Sequence, residues 1–123
     1  MTQRFSVEPI AHRFLGPLIA LALPGQPRRL LMLEEATILS RALAAVANGA
    51  SAERLIYMSP IASDCDFEAR VVSSGLVVVC EGCADARLSF EAALRLAQAL
   101  TENAEAPPQR AQEKEGGEDG WPM

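Results

Sequence analysis

Large side chains are scarce in this sequence. Six aromatic residues (Phe5, Phe14, Tyr57, Phe67, Phe90 and Trp121) serve 123 positions, so Ala, Leu and Val must supply most of the packing. Small side chains each remove little area from water, so the sequence predicts a core of modest energy. Lys114 is the single lysine and His12 the single histidine. The folded body therefore draws its cations from arginine, which makes bidentate and stacked contacts that lysine does not. Codon bias toward GC-rich triplets produces the same preference with no functional cause.

Long apolar runs are missing as well. The longest, Leu15 to Pro24, contains Gly16 and Pro17 and reaches about half of the ~20 residues that span a bilayer. Residues 1–14 carry neither an uninterrupted apolar stretch nor a small-residue cleavage pattern, so no signal peptide and no membrane partner are expected. Three cysteines, an odd number, do not form the framework of a secreted disulfide scaffold. A cytoplasmic location is the expectation. No phosphate-binding loop, nucleophile elbow, zincin helix or dinucleotide fingerprint occurs, and the chain is read as a non-enzyme.

The formal charge is −5, and its placement matters more than its size. From Glu102 onward six acids face Arg110 and Lys114, whereas the preceding residues hold ten acids and nine arginines. Acidity thus belongs to the tail, which argues against an acidic mimic of nucleic acid. Arg28–Arg29 is the only adjacent basic pair, so nucleic-acid binding through arginines is a disfavoured reading. The segment 104–123, with Pro107–Pro108 and Gly116–Gly117, has the composition of a solvated, disordered tail.

What the chain does contain is self-similarity. Shifted by 57 residues without a gap, Ile19–Ala47 falls on Leu76–Ala104. Gly25 meets Gly82, Leu31 meets Leu88, Glu34 meets Glu91, Leu39 meets Leu96 and Leu43 meets Leu100; upstream, Ile10 meets Phe67 and Arg13 meets Arg70. Each copy reads as strand, turn, strand, glycine loop and helix. The strands are expected at about Ser6–Phe14, Pro17–Leu23, Asp66–Val72 and Leu76–Cys80, with a glycine turn at Ser73-Ser74-Gly75. The first helix is expected over Leu33–Asn48, with the stripe Ile38, Leu39, Ala42, Leu43 and Val46 and a stop at Asn48-Gly49. The second starts after the N-cap Ser89, presents Ala93, Leu96, Ala97 and Leu100, and ends near Asn103.

The predicted fold is α+β, a tandem duplication of a ββα unit. Its two copies (about 5–49 and 62–103, joined by linker 50–61) share one four-stranded antiparallel sheet with both helices on one face. The domain is taken as residues 1–103, and Leu55–Met58 is an extra edge strand.

Exposed antiparallel sheets alternate apolar and polar side chains. Leu18–Leu23 and Leu76–Val79 are apolar at every position. With Ile19, Leu21, Leu23, Leu76, Val78 and Cys80 assigned to the helices, the opposite face shows Ala20, Ala22, Val77 and Val79. That face, with Arg28 and Arg29, is the expected binding surface for another protein or for a second copy in a homodimer. The corresponding function is a small protein-binding module. It would act as an inhibitor or regulator of a larger complex, as phage or mobile-element proteins (anti-CRISPR proteins among them) do when they block a host defence. That last association rests on size and duplication alone.

Cys80-Glu-Gly-Cys83 is the other notable motif. Reflecting the hairpin about Ser73–Gly75 sets Cys83 opposite or diagonal to Cys65 and gathers Cys65, Cys80 and Cys83 at its open end. Zinc takes four Cys or His ligands as a rule, with Asp64, Asp66 or His12 as the candidate fourth; a Cys65–Cys83 disulfide and three ordinary thiols are the alternatives. The repeat favours ordinary thiols, because Leu23 and Gln26 stand at the matching positions. Glu34 and Glu91 resemble paired carboxylates, but a place in a helix first turn already explains them.

Overall fold

Two tight hairpins and the strands that follow them determine the architecture. The computed structural model describes residues 5–105. In chain order the elements are β1 (Ser6–His12), β2 (Gly16–Ala22), β3 (Arg29–Met32), α1 (Leu33–Ala47), β4 (Leu55–Met58), β5 (Phe67–Val72), β6 (Gly75–Val79), β7 (Ala86–Ser89) and α2 (Phe90–Glu105). The class is α+β, with two antiparallel sheets ordered β1-β2-β3 and β4-β5-β6-β7.

The expected single four-stranded sheet is therefore replaced by two sheets of three and four strands. The reason lies in Arg29–Met32 and Ala86–Ser89, which fall within the expected glycine loops. Both extend and pair, Leu31 opposite Ile19 and Leu88 opposite Leu76. Each apolar inner strand, β2 or β6, then has a partner on both sides within its own sheet. No open edge of either is left through which the two hairpins could merge. Leu55–Met58 is an edge strand as expected, paired to β5 with Ile56 opposite Ala69.

The hairpins close differently. At the first, His12 Nδ1 accepts the backbone N–H groups of Phe14 and Leu15, both at 3.0 Å. At the second, Val72 pairs directly with Gly75 across a two-residue turn. Gly75 is needed for space: a Cβ there would lie 2.0 Å from the Leu88 carbonyl oxygen. With Leu18 matched to Gly75, seven residues separate Ile10 from Leu18 and only two separate Val72 from Gly75, which shifts β5 relative to β1. Ile10 pairs with Leu18 and Phe67 belongs to a strand pairing from Glu68–Val79, so the expected matches Ile10 with Phe67 and Arg13 with Arg70 are not at equivalent sheet positions.

Both helices are capped by their own sequence. Glu35 Oε1 accepts the Met32 N–H at 2.8 Å, and Gly49, at φ +79°, ends α1 with its N–H on the Val46 carbonyl. Ser89 Oγ accepts the Ala92 N–H at 3.0 Å and caps α2. The α2 face is the one expected, with Ala92, Ala93, Leu96, Ala97 and Leu100 buried. On α1 the stripe is rotated: Ala36, Leu39, Ser40, Leu43 and Val46 are buried, and Ile38 is exposed. Small residues at the crossing let the helices approach closely, and Ser40 Oγ donates to the Ala97 carbonyl at 2.7 Å. It also meets Thr101 Oγ1 at 2.6 Å.

One core results. Ile19, Leu21 and Leu31 of the first sheet, Phe67, Leu76, Val78 and Leu88 of the second, and both helix stripes pack in one apolar cluster. Helix α1 also touches β4, and α2 touches β1, so each helix bridges both sheets. Among the described residues no helix is long and apolar enough to cross a membrane. Helix α2 continues to Glu105, two residues past the expected end; the expectations for the tail beyond it, Trp121 included, lie outside the described residues.

Candidate functional site

The motif Cys80-Glu-Gly-Cys83 is first of all a turn. Cys83 N–H donates to the Cys80 carbonyl at 3.0 Å, and Gly82 takes φ +78°. The first copy makes the same turn at Leu23–Gln26, with Gln26 N–H on the Leu23 carbonyl and Gly25 at φ +75°. A positive φ at the third residue is what a glycine supplies without steric cost. The two turns lie against one another. Gln26 Nε2 donates to the carbonyls of Val78 and Ala84, both at 2.8 Å.

All three cysteines meet beside these turns. Cys65 enters from the segment before β5, and Cys80 and Cys83 leave the end of β6. Cys80 Sγ is 3.1 Å from Cys65 Sγ and 3.4 Å from Cys83 Sγ. The expected gathering of thiols is present, but its centre is Cys80 and not a Cys65–Cys83 pair. Hairpin register ceases to apply beyond Glu68 and Val79, where the two strands part. All three are free thiols. Partial burial and the hydrogen bond to Cys80 push the Cys65 thiol above its ordinary value, partly offset by the Arg29 charge. The Cys83 thiol is raised first by its hydrogen bond to Cys80.

These sulfurs line a cleft of about 780 Å³ between the two sheets, walled by Arg28 and Leu30 on one side and by Ser63, Asp64 and Glu81 on the other. Of the candidate fourth zinc ligands, His12 is engaged with the β1–β2 turn. The Asp66 carboxylate accepts from Tyr57 Oη at 2.5 Å and Ser59 Oγ at 2.8 Å. Those two bonds hold its carboxyl below the usual range, and the same contact raises the Tyr57 phenol. Among the described residues, no group of three or more His, Cys, Asp or Glu side chains is arranged to hold a metal ion.

Arg29 is wholly buried, which corrects its expected role as a contact residue for a partner or a nucleic acid. It points to the core side of β3 opposite Leu21. Its Nε donates to the Asp66 carbonyl at 2.9 Å and its Nη2 to Gln26 Oε1 at 2.9 Å, with the guanidinium carbon 5.5 Å from the centre of the Phe67 ring. The Nη1 atom is buried with no hydrogen-bond partner. The sequence holds a signal for this: Arg29 alternates with Leu31 and aligns, 57 residues on, with buried Ala86. Arg28 is exposed, at the rim of the cleft.

The four sheet residues assigned to a binding face divide. Ala20 is 1% exposed and its neighbour Leu18 is 0% exposed, although both point away from the main core. The chain itself approaches this side: Leu30, paired with Ala20, lines the cleft with Ala62 and Ser63. Ile61 N–H reaches Glu35 Oε2 at 3.1 Å. Ala20 is thus not available as a contact, and Ala22 is half-buried. Val77 and Val79 point to the outer face of the second sheet, and Val79 with Glu68 also lines the cleft. On that face Leu55 and Tyr57 of β4 lie opposite Arg70 and Glu68 of β5, and Arg70 and Glu68 lie opposite Val77 and Val79. Leu55 is 47% and Tyr57 56% exposed, and Val72 at the end of β5 is exposed too. Arg70 pairs with Glu68 at 3.1 Å, and Arg87 extends beside Val77.

Glu34 is exposed in the first turn of α1, and Glu91 in that of α2 lies 4.0 Å from Arg95. No protein-family model, no curated protein and no solved structure matches the chain.

Proposed function

We propose that this chain is a small non-enzymatic protein-binding module that docks a protein through the outer face of β4–β7. The carrying observation is that Leu55, Tyr57, Val72, Val77 and Val79 share one sheet surface, with the first two about half exposed. Contiguous apolar surface of this kind, rimmed by polar groups, is typical of interaction sites. Aromatic and arginine side chains are the usual anchors of such interfaces. Arg70 and Arg87 stand on this face with the carboxylates Glu68 and Asp66, so the apolar surface is rimmed by charges of both signs. An inhibitor or regulator of a larger complex would work by occupying that surface.

The tandem-duplication reading is supported by the shared turns at Leu23–Gln26 and Cys80–Cys83. It gains further from the Ser40–Ala97 contact, because those positions are 57 residues apart and an approximate twofold axis brings equivalent positions together. The edge strand β4 is then the addition that widens the second sheet and gives it the exposed Leu55 and Tyr57.

Leu55→Asp with Tyr57→Asp tests the docking face. Light scattering and capture experiments with the wild-type and the double variant should show association that the variant loses while its circular-dichroism spectrum stays that of the folded wild-type. Its melting temperature should be lowered by the lost Tyr57–Asp66 bond. A concentration-dependent mass abolished by the variant makes the occupant a second copy of the chain. Association that persists unchanged in the double variant rules this face out.

A further inference from the structure

We propose that Cys65, Cys80 and Cys83 form a thiol–disulfide exchange site in which Cys80 bonds alternately to Cys65 and to Cys83. Every cysteine of the chain converges here, although they come from two segments on opposite strands of a hairpin. Cys80 Sγ alone touches both others, at 3.1 and 3.4 Å; a disulfide needs about 2.05 Å, so roughly one ångström of closure suffices. Both partners sit on irregular backbone, Cys65 before β5 and Cys83 in the glycine turn. That ångström can be taken up without disturbing the ladder of β6. The sulfurs line the cleft, open to a small oxidant. Behind them lies the buried Arg29 guanidinium, with an Nη1 that no protein acceptor satisfies. The Arg29 charge offsets only part of the burial and thiol–thiol contact that raise Cys65 and Cys83, so exchange through the thiolate, the reacting form, quickens as the pH rises.

The reaction runs with a low-molecular-weight disulfide, RSSR, as the oxidant. Cys80 loses its proton to solvent, and its thiolate attacks one sulfur of RSSR. The S–S bond breaks, RS⁻ leaves and takes a proton, and a mixed disulfide joins Cys80 to the remaining RS group. The Cys65 thiolate then attacks Cys80 Sγ, expelling the second RS⁻. Two protein thiols have lost two electrons, and RSSR has become two RSH. In a further step the Cys83 thiolate attacks Cys80 Sγ and releases Cys65, with no net oxidation. The two protein disulfides exclude each other because both use Cys80.

This site does not depend on the docking face: a chain carrying Leu55→Asp should keep it. The test equilibrates the full chain, purified without chelator, with oxidised and reduced glutathione. Free thiols are then trapped and the cross-links mapped by mass spectrometry. The wild-type should carry one disulfide and one free thiol, as a mixture of Cys65–Cys80 and Cys80–Cys83. Cys65→Ser should give only Cys80–Cys83, and Cys83→Ser only Cys65–Cys80. Cys80→Ser should lower intramolecular cross-linking by at least about tenfold. The proposal fails if Cys80→Ser forms a Cys65–Cys83 bond as readily as the wild-type forms its own. It fails equally if the wild-type keeps three free thiols, or if a stoichiometric soft metal must be removed before any thiol reacts. The mapping of the wild-type alone decides the matter should a variant not fold.

Discussion

The two sheets start from the same kind of sequence and end with opposite outer surfaces. In the first, Leu18 and Ala20 on β2 are sealed from water even though they point away from the helices. In the second, Val77 and Val79 on β6 are half-buried within a surface that also exposes Leu55 and Tyr57. An apolar inner strand therefore does not determine what its far side meets. The segment between α1 and β5 also treats the two sheets differently. Its first part becomes β4 and broadens the second sheet. Its second part, through Ile61, Ala62 and Ser63, approaches β3 and α1 of the first.

Carboxylate substitution gives the widest contrast. Ala20→Asp places a charge at a position only 1% exposed, and is expected to cost at least about 4 kcal/mol or to prevent folding. Val77→Asp, on the open sheet, should cost about 1 kcal/mol. Thermal melts followed by circular dichroism measure both; equal losses would mean that the two outer faces are alike after all.

Adjacent arginines come next. Arg29→Ala removes a buried side chain and orphans the Asp66 carbonyl and Gln26 Oε1, at a cost of about 3 kcal/mol. Arg28→Ala, exposed on the rim, should stay within about 0.5 kcal/mol. Denaturant titration separates them, and a mild Arg29→Ala would show that the joint between the sheets rests on apolar contact alone.

The smallest expected effect is a pH dependence at the edge of the second sheet. The Asp66 carboxyl is held below its ordinary value by Tyr57 and Ser59. Its contribution is therefore fully present above the unfolded carboxylate range and is lost as the pH falls through the lowered folded value. The group is solvent-exposed, so the change is slight. Ser59→Ala should flatten the acid limb of a melting-temperature profile, and an unchanged limb would remove Asp66 as a fastener of β4.

Much of this was legible in the sequence, and the exceptions share a cause. Period and capping located both helices, and the glycine turns located both hairpins, because those signals are local. Strands β3 and β7 are hidden because each runs without a break into its helix, at Met32–Leu33 and Ser89–Phe90, and Pro27 before one of them reads as loop. Ile38 was placed inward because α1 is apolar over much of its circumference, so that packing against α2, and not hydropathy, selects the buried face. The meeting of the three thiols followed from reflecting the hairpin, but the central place of Cys80 did not, since pairing rules stop where strands diverge. Burial of Arg29 was hidden by its neighbour, for a pair of arginines suggests a basic surface whereas strand alternation sends one of them inside.

The contact between α2 and β1 sets the timetable of synthesis. Those elements stand at opposite ends of the described chain, so the first sheet emerges from the ribosome long before the helix that helps to roof it. Until Phe90–Glu105 has been made, the core around Ile19, Leu21 and Leu31 lacks Ala92, Ala93, Leu96, Ala97 and Leu100. Contacts of such high sequence separation form late and slowly. Nascent chains that stall short of α2 should consequently be the species that chaperones hold and proteases remove.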